Sequence, residues 1–278
     1  VWFFKEDVTL VYYNTGNGTF PFERKNGTLI QKGCAAKHSV ATLDNSFYFL
    51  GDDRIVYQTL GYQIKPISTF PISDEIESYS KVNDAFSFIY TQAGHKFYSI
   101  TFPTANKTWV YDITNGQWHE RESLDINLQP KEWRANIHSF FIGKNLVGDN
   151  ATGKLYELDL DTYDEDGTTL ISKIISVTQF NDYNRDSVGD LTLLMDTGVG
   201  INNNQGIDPQ IMLRTSIDGA KTWSKELKQQ LGKQGNYETE VVWNRVASGR
   251  SLIMGFKISD PVKRAIIDAY LDTTGGQN

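Results

Sequence analysis

The chain has 278 residues, 39% hydrophobic and 13% aromatic, with 27 basic against 34 acidic side chains and a formal charge of −7. That length can bury a core unaided, and the single cysteine, Cys34, excludes an intrachain disulfide framework and invites the reading of a buried structural thiol. The acidic balance gives no global attraction to nucleic acid or anionic membrane, no run reaches the roughly 20 apolar residues of a membrane span, and the N-terminus lacks a signal-peptide layout.

Strand chemistry begins at once with Val1-Trp2-Phe3-Phe4; this start, without methionine, leads us to expect further structure upstream. Short apolar or alternating runs follow at Val8–Tyr13, Phe47–Leu50, Ile55–Gln58, Phe86–Tyr90, Lys96–Phe102, Thr108–Ile113, Phe140–Ile142 and Lys154–Leu158. Asn17-Gly18, Asn26-Gly27, Asn115-Gly116 and Asp166-Gly167 adopt positive φ easily and close hairpins, so the strands are expected to pair antiparallel. One helical signal interrupts them: Ile72, Ile76 and Tyr79 share a face, and Asp74 with Glu77 has capping-box spacing.

A loose repeat organises this first part. A hydrophobic strand, a polar turn and a strand carrying a tyrosine recur around Tyr57, Tyr111 and Tyr156, at a spacing near the roughly 40–50 residues of a propeller blade. Trp109 to Trp118 is kelch-like in layout. The expectation is an all-β chain with propeller-like antiparallel blades over 1–165, an incomplete set among the options, then a β-rich region over 166–278; unrelated meanders are the alternative.

The acidic stretch Asp159 to Gly167 marks the junction and fails the calcium-loop template, since Tyr163 and Asp166 stand where a carboxylate and a glycine are needed. Beyond it, Ile171–Phe180, Leu191–Met195, Ile211–Thr215, Glu238–Trp243, Leu252–Ser259 and Ala265–Leu271 read as strands, and Trp223–Leu231 as an exposed strand. The glycine-rich Gly198–Asp208 reads as an exposed, mobile loop and Thr273–Asn278 as a fraying tail.

Ser216, Asp218, Thr222 and Trp223 stand in an Asp-box-like pattern, with Ala220 at the usual glycine position. The aspartate would accept turn N–H groups and the tryptophan would anchor the hairpin in the core, a structural rather than catalytic role. Trp243, Arg245 and Arg250 are candidate partner contacts, on a strand expected to turn at Ser248-Gly249 and pair with Leu252 to Ile258, placing Trp243 and Arg245 on one face. Ordinary ion pairing is the plainer reading of both arginines. Glu120, Glu122, Asp125 and Glu132 lie near Arg121 and Arg134, but their spacing defines no glycosidase pocket. His38, His95, His119 and His138 are isolated in sequence, and no dinucleotide or phosphate-loop motif occurs. We therefore expect no catalytic residue, no metal and no cofactor.

Three stretches resemble the packaged-DNA stabilisation (tail-hub, or nozzle) proteins of short-tailed phages: Thr28 to Ala36 with Asn45 to Gly51, Gly61 to Thr69 leading into Ile76-Glu77, and Tyr237 to Phe256. The resemblance covers most of the chain and corresponds to the later part of a longer protein. It implies a β-propeller with an attached β-rich domain in a homo-hexameric ring that meets portal and adaptor, tailspike and needle proteins. It also implies transient passage of DNA, no membrane insertion, and a place in the virion tail after synthesis in the host bacterial cytoplasm. Acidic groups lining such a conduit would repel phosphate. The runner-up expectation is a carbohydrate-binding or sialidase-like propeller, with a pocket lined by arginines and aromatics.

Overall fold

The computed structural model describes residues 1–179, 185–202 and 204–275, and divides the chain into two compact units, Val1–Asp159 and Leu160–Asn278. The first unit is a series of antiparallel meanders of the kind that form propeller blades. Its sheets are Trp2–Phe4, Thr9–Asn14 and Phe22–Arg24; then Ala41–Leu43, Ser46–Leu50, Val56–Leu60 and Gln63–Pro66; then Phe86–Gln92, His95–Phe102, Lys107–Asp112 and Gln117–Glu120; then Ala135–Phe141, Lys144–Asp149 and Leu155–Glu157. Tyr57, Tyr111 and Tyr156 each sit on the third strand of a meander. A small ribbon, Glu122–Leu124 with Pro130–Glu132, precedes the last sheet.

Aromatic side chains fill the space between successive sheets. Tyr48 stacks on Tyr98 with ring centres 5.5 Å apart, and Phe88 meets Trp133 at 5.6 Å. The helix Phe70–Ser78 buries Ile72 and Ile76 in the first of these layers. It starts earlier than the Asp74/Glu77 pattern suggests, and no capping box forms: Thr69 is the N-cap, and Pro71 takes the first turn, where its missing N–H costs nothing. Cys34 is half-buried rather than enclosed; burial raises its pKa, and its thiol donates to the Ala36 carbonyl at 3.1 Å.

The second unit is a β-sandwich. One sheet runs in the order Ser172–Ile175, Ile253–Ile258, Gln210–Ser216 and Leu227–Gln230; the other runs Val241–Gly249, Asp186–Met195 and Ile266–Gly275. Leu191, Leu193, Val241 and Trp243 from one sheet share a core with Ile211, Leu213, Phe256 and Ile258 from the other. Phe180 lies outside the described residues, and the strand expected to end there forms as Ser172–Ile175, with Gln179 bridging Leu252. Gln230 ends the short strand expected over Trp223–Leu231, and Leu231 is buried. Residues 276–278 of the expected tail also fall outside; Thr273–Gly275 continue a strand instead of fraying.

Three expectations for this unit are overturned. Val241–Gly249 does not form a hairpin with the strand after it but pairs with Asp186–Met195, while Ile253–Ile258 joins the opposite sheet. The physical reason is that Trp243 and Phe256 both need burial and meet at a tilt across the core, with ring centres 6.0 Å apart. Arg245 does not share the face of Trp243: at φ 54° it opens a β-bulge opposite Gly189, which shifts the alternation so that Val246 is buried and Arg245 exposed. The Gly198–Asp208 segment, of which Asn203 lies outside the described residues, is tied down rather than loose. Gly198 N–H donates to Leu231 and Gly200 N–H to Gly232, and a Cβ on Gly200 would lie 2.8 Å from the Gln234 nitrogen.

Candidate interaction surfaces

The strand Gln210–Ser216 delivers Ser216 and Asp218 to one turn. The Ser216 hydroxyl donates to Asp218 Oδ1 at 2.7 Å and accepts the Ala220 N–H at 3.0 Å. Asp218 also accepts the Thr222 N–H at 2.9 Å and the Thr222 hydroxyl at 2.6 Å. Those Thr222 bonds, with the one from Ser216, hold the Asp218 carboxyl well below the usual carboxylate range. Trp223 is not in the core: it lies half-buried under the Arg214 guanidinium, 4.3 Å from ring centre to carbon, against Gly255. Since Asp218 takes no part in the core, Asp218→Ala should lower the melting temperature slightly and leave the fold intact, checked by thermal unfolding at neutral pH.

Of the three candidate contact residues, Trp243 is excluded from the surface: it is 2% exposed and its indole N–H donates to the Leu227 carbonyl at 3.1 Å. Arg245 and Arg250 are exposed. The alternation around Trp243 and Arg245 misled because a bulge cannot be read from residue type.

In the first unit the acidic and basic side chains near residues 120–134 are dispersed. Glu120 pairs with Lys107 at 2.6 Å, Asp125 accepts N–H groups of its own loop, and Arg134 pairs with Asp149 at 2.7 Å. Arg121 lies over Trp133 at 4.4 Å and reaches the Tyr90 hydroxyl at 3.3 Å. The histidines are less isolated than their spacing implies. Phe97 stacks on Tyr90 at 4.9 Å, with His95 and His119 against Phe97 and His138 against Tyr90. The ring nitrogens of His95 and His138 meet Asp112 and Asn145 at 2.6 and 2.9 Å, so these rings are fixed by neighbours inside the fold. Among the described residues, no group of three or more His, Cys, Asp or Glu is arranged to hold a metal ion.

Two family models match, in chain order. The one described as bacteriophage P22 Gp10, beta-propeller covers residues 1–163, and the one described as bacteriophage P22 Gp10, beta-sandwich covers residues 173–274. No curated protein matches. Similar solved structures include an exo-β-1,3-galactanase from Phanerochaete chrysosporium bound to β-1,3-galactotriose, 8% identical over 95% of this chain and 75% of that one, at a TM-score of 0.27. The same enzyme with galactose is 9% identical at equal coverage and a TM-score of 0.24; a glycoside hydrolase is 8% identical over 98% and 83% at 0.18. Scores this low carry no argument about activity.

Proposed function

The chain belongs to the bacteriophage P22 Gp10 family of phage tail structural proteins, and on that premise we propose that it serves in the tail hub, closing the portal channel and stabilising packaged DNA. The carrying observation is the succession of the two family matches, propeller then sandwich, along one chain. In this reading the protein is made in the host bacterial cytoplasm and assembles into the virion as a homo-hexameric ring. It docks the portal and adaptor on one side and tailspike and needle proteins on others, and DNA passes through transiently. Its working parts are surfaces, so it needs no cofactor and performs no catalysis.

Mass photometry of the full chain, alone and with a portal–adaptor complex, tests the reading. Discrete ring-sized oligomers, or their formation on the complex, are expected. A chain that stays monomeric and ignores the complex at every concentration would count against it.

A further inference from the structure

The two sheets of the sandwich carry opposite charge. Strands Ser172–Ile175, Ile253–Ile258, Gln210–Ser216 and Leu227–Gln230 hold Lys173, Lys257, Arg214 and Lys228 and no acidic residue. Strands Val241–Gly249, Asp186–Met195 and Ile266–Gly275 hold Asp186, Asp190, Asp268 and Asp272 against the single cation Arg245.

Register turns this segregation into surfaces. Ile211, Leu213, Phe256 and Ile258 point into the core, so their neighbours along each strand point out. Lys173 lies opposite Lys257, Lys257 opposite Met212, and Met212 opposite Lys228, a row spanning about 14 Å at the usual strand spacing. Ile175, Gly255 and Arg214 form the next row, with Trp223 laid over Arg214. On the other sheet, Leu191 and Leu193 point inward and Asp190, Thr192 and Leu194 outward, with Asp268 opposite Leu194 and Tyr270 opposite Thr192. Asp190, Asp268, Asp272, Leu194 and Tyr270 are exposed.

Lys173 lies directly across from Lys257, a like-charge opposition that costs a sheet stability, and Glu226 reaches Lys257 from a connection at 2.9 Å. Each outer face also combines its charges with exposed apolar groups, Ile175 at 57% on one and Tyr270 at 56% on the other, the mixture expected of a contact patch.

We propose that copies of this chain associate head to tail through these two faces, the basic sheet of one copy on the acidic sheet of the next. The inference rests on the ring reading above and names its surface. Two different, complementary patches on one molecule make a heterologous contact, the type that closes into a ring when the rotation between copies permits. A second copy brings the complementary face: the acidic strands of one chain carry Asp190, Asp268 and Asp272 where the basic strands of the other carry Lys173, Lys228 and Lys257.

The test uses the full chain and two paired reversals, Lys173→Glu with Lys228→Glu, and Asp268→Lys with Asp272→Lys, each checked for an unchanged circular dichroism spectrum. Either pair alone should weaken self-association by about tenfold or more, and mixing the two variants should restore much of it, since each supplies the complement of the other. Rising salt should weaken the wild-type assembly. Assembly untouched by both reversals overturns the choice of surface and leaves the ring reading standing, whereas a wild type that never assembles overturns both. If Lys173→Glu with Lys228→Glu spares assembly but abolishes salt-dependent binding of a DNA duplex, the basic sheet is a phosphate surface and the proposal falls.

Discussion

Trp243→Ala is expected to cost about 3–5 kcal/mol, the range for emptying a buried aromatic site. Three features place it there. The ring is 2% exposed, it faces Phe256 across the sandwich at 6.0 Å, and its strand pairs with Asp186–Met195, where Trp243 lies opposite Leu191. Truncation also leaves the Leu227 carbonyl without the indole N–H it accepts, an added loss of about 1 kcal/mol. Against a typical total stability of about 5–15 kcal/mol this is a large fraction. Urea unfolding should show a lowered midpoint at unchanged slope, and Trp243→Phe, which keeps a ring but loses the N–H, should fall between. A midpoint equal to wild type for Trp243→Ala would contradict the core placement and return Trp243 to the surface.

The tyrosine repeat was legible because it reflects a local order of strand, turn and strand: Tyr57, Tyr111 and Tyr156 all occupy third strands. Turn chemistry was legible where the side chain suits the backbone. Asp166 and Gly167 both have positive φ and close a two-residue hairpin between Asp164–Glu165 and Thr168–Thr169. It was not legible at Ile142-Gly143, where sequence runs the strand through Ile142. There Ile142 is held at φ 48° because Phe141 pairs with Lys144, leaving two residues to turn the chain. A β-branched residue in that conformation costs on the order of 1–2 kcal/mol, and only the pairing on either side of the turn imposes it.

At the candidate surfaces the same division holds. The Ser216, Asp218 and Thr222 contacts span seven residues, so spacing was enough to suggest them. Trp243 was misplaced because its partners come from residues far away in sequence, and a strand followed by a glycine turn looks like half of a hairpin whether or not the next strand joins it. The basic face was hidden for a related reason. Lys173, Arg214, Lys228 and Lys257 are single charges on four separate strands, and only the order of those strands in the sheet gathers them.

Asp149→Ala is expected to cost the first unit about 3–5 kcal/mol, the usual effect of breaking a buried ion pair by removing one partner. The Asp149 side chain is 0% exposed and accepts Arg134 at 2.7 Å, the Ala151 N–H at 2.9 Å, the Thr152 N–H at 3.1 Å and the Thr152 hydroxyl. It thus ties the turn after Lys144–Asp149 to Arg134, whose guanidinium lies 5.1 Å from the Tyr156 ring centre. Burial pushes the Asp149 carboxyl up, but the bonds from Arg134, Thr152 and Ala151 outweigh it and hold the group well below its ordinary 3.8. Because the folded pKa is depressed, the contribution is fully present above 3.8 and is lost as pH falls toward the folded value. The gap in melting temperature between wild type and Asp149→Ala should therefore be constant near neutral pH and narrow only in acid, below about pH 4. Asp149→Asn keeps an acceptor for the turn but not the charge that Arg134 needs, so it should lie between the two. A gap that instead narrowed on the alkaline side would mean that the carboxylate is not the stabilising form.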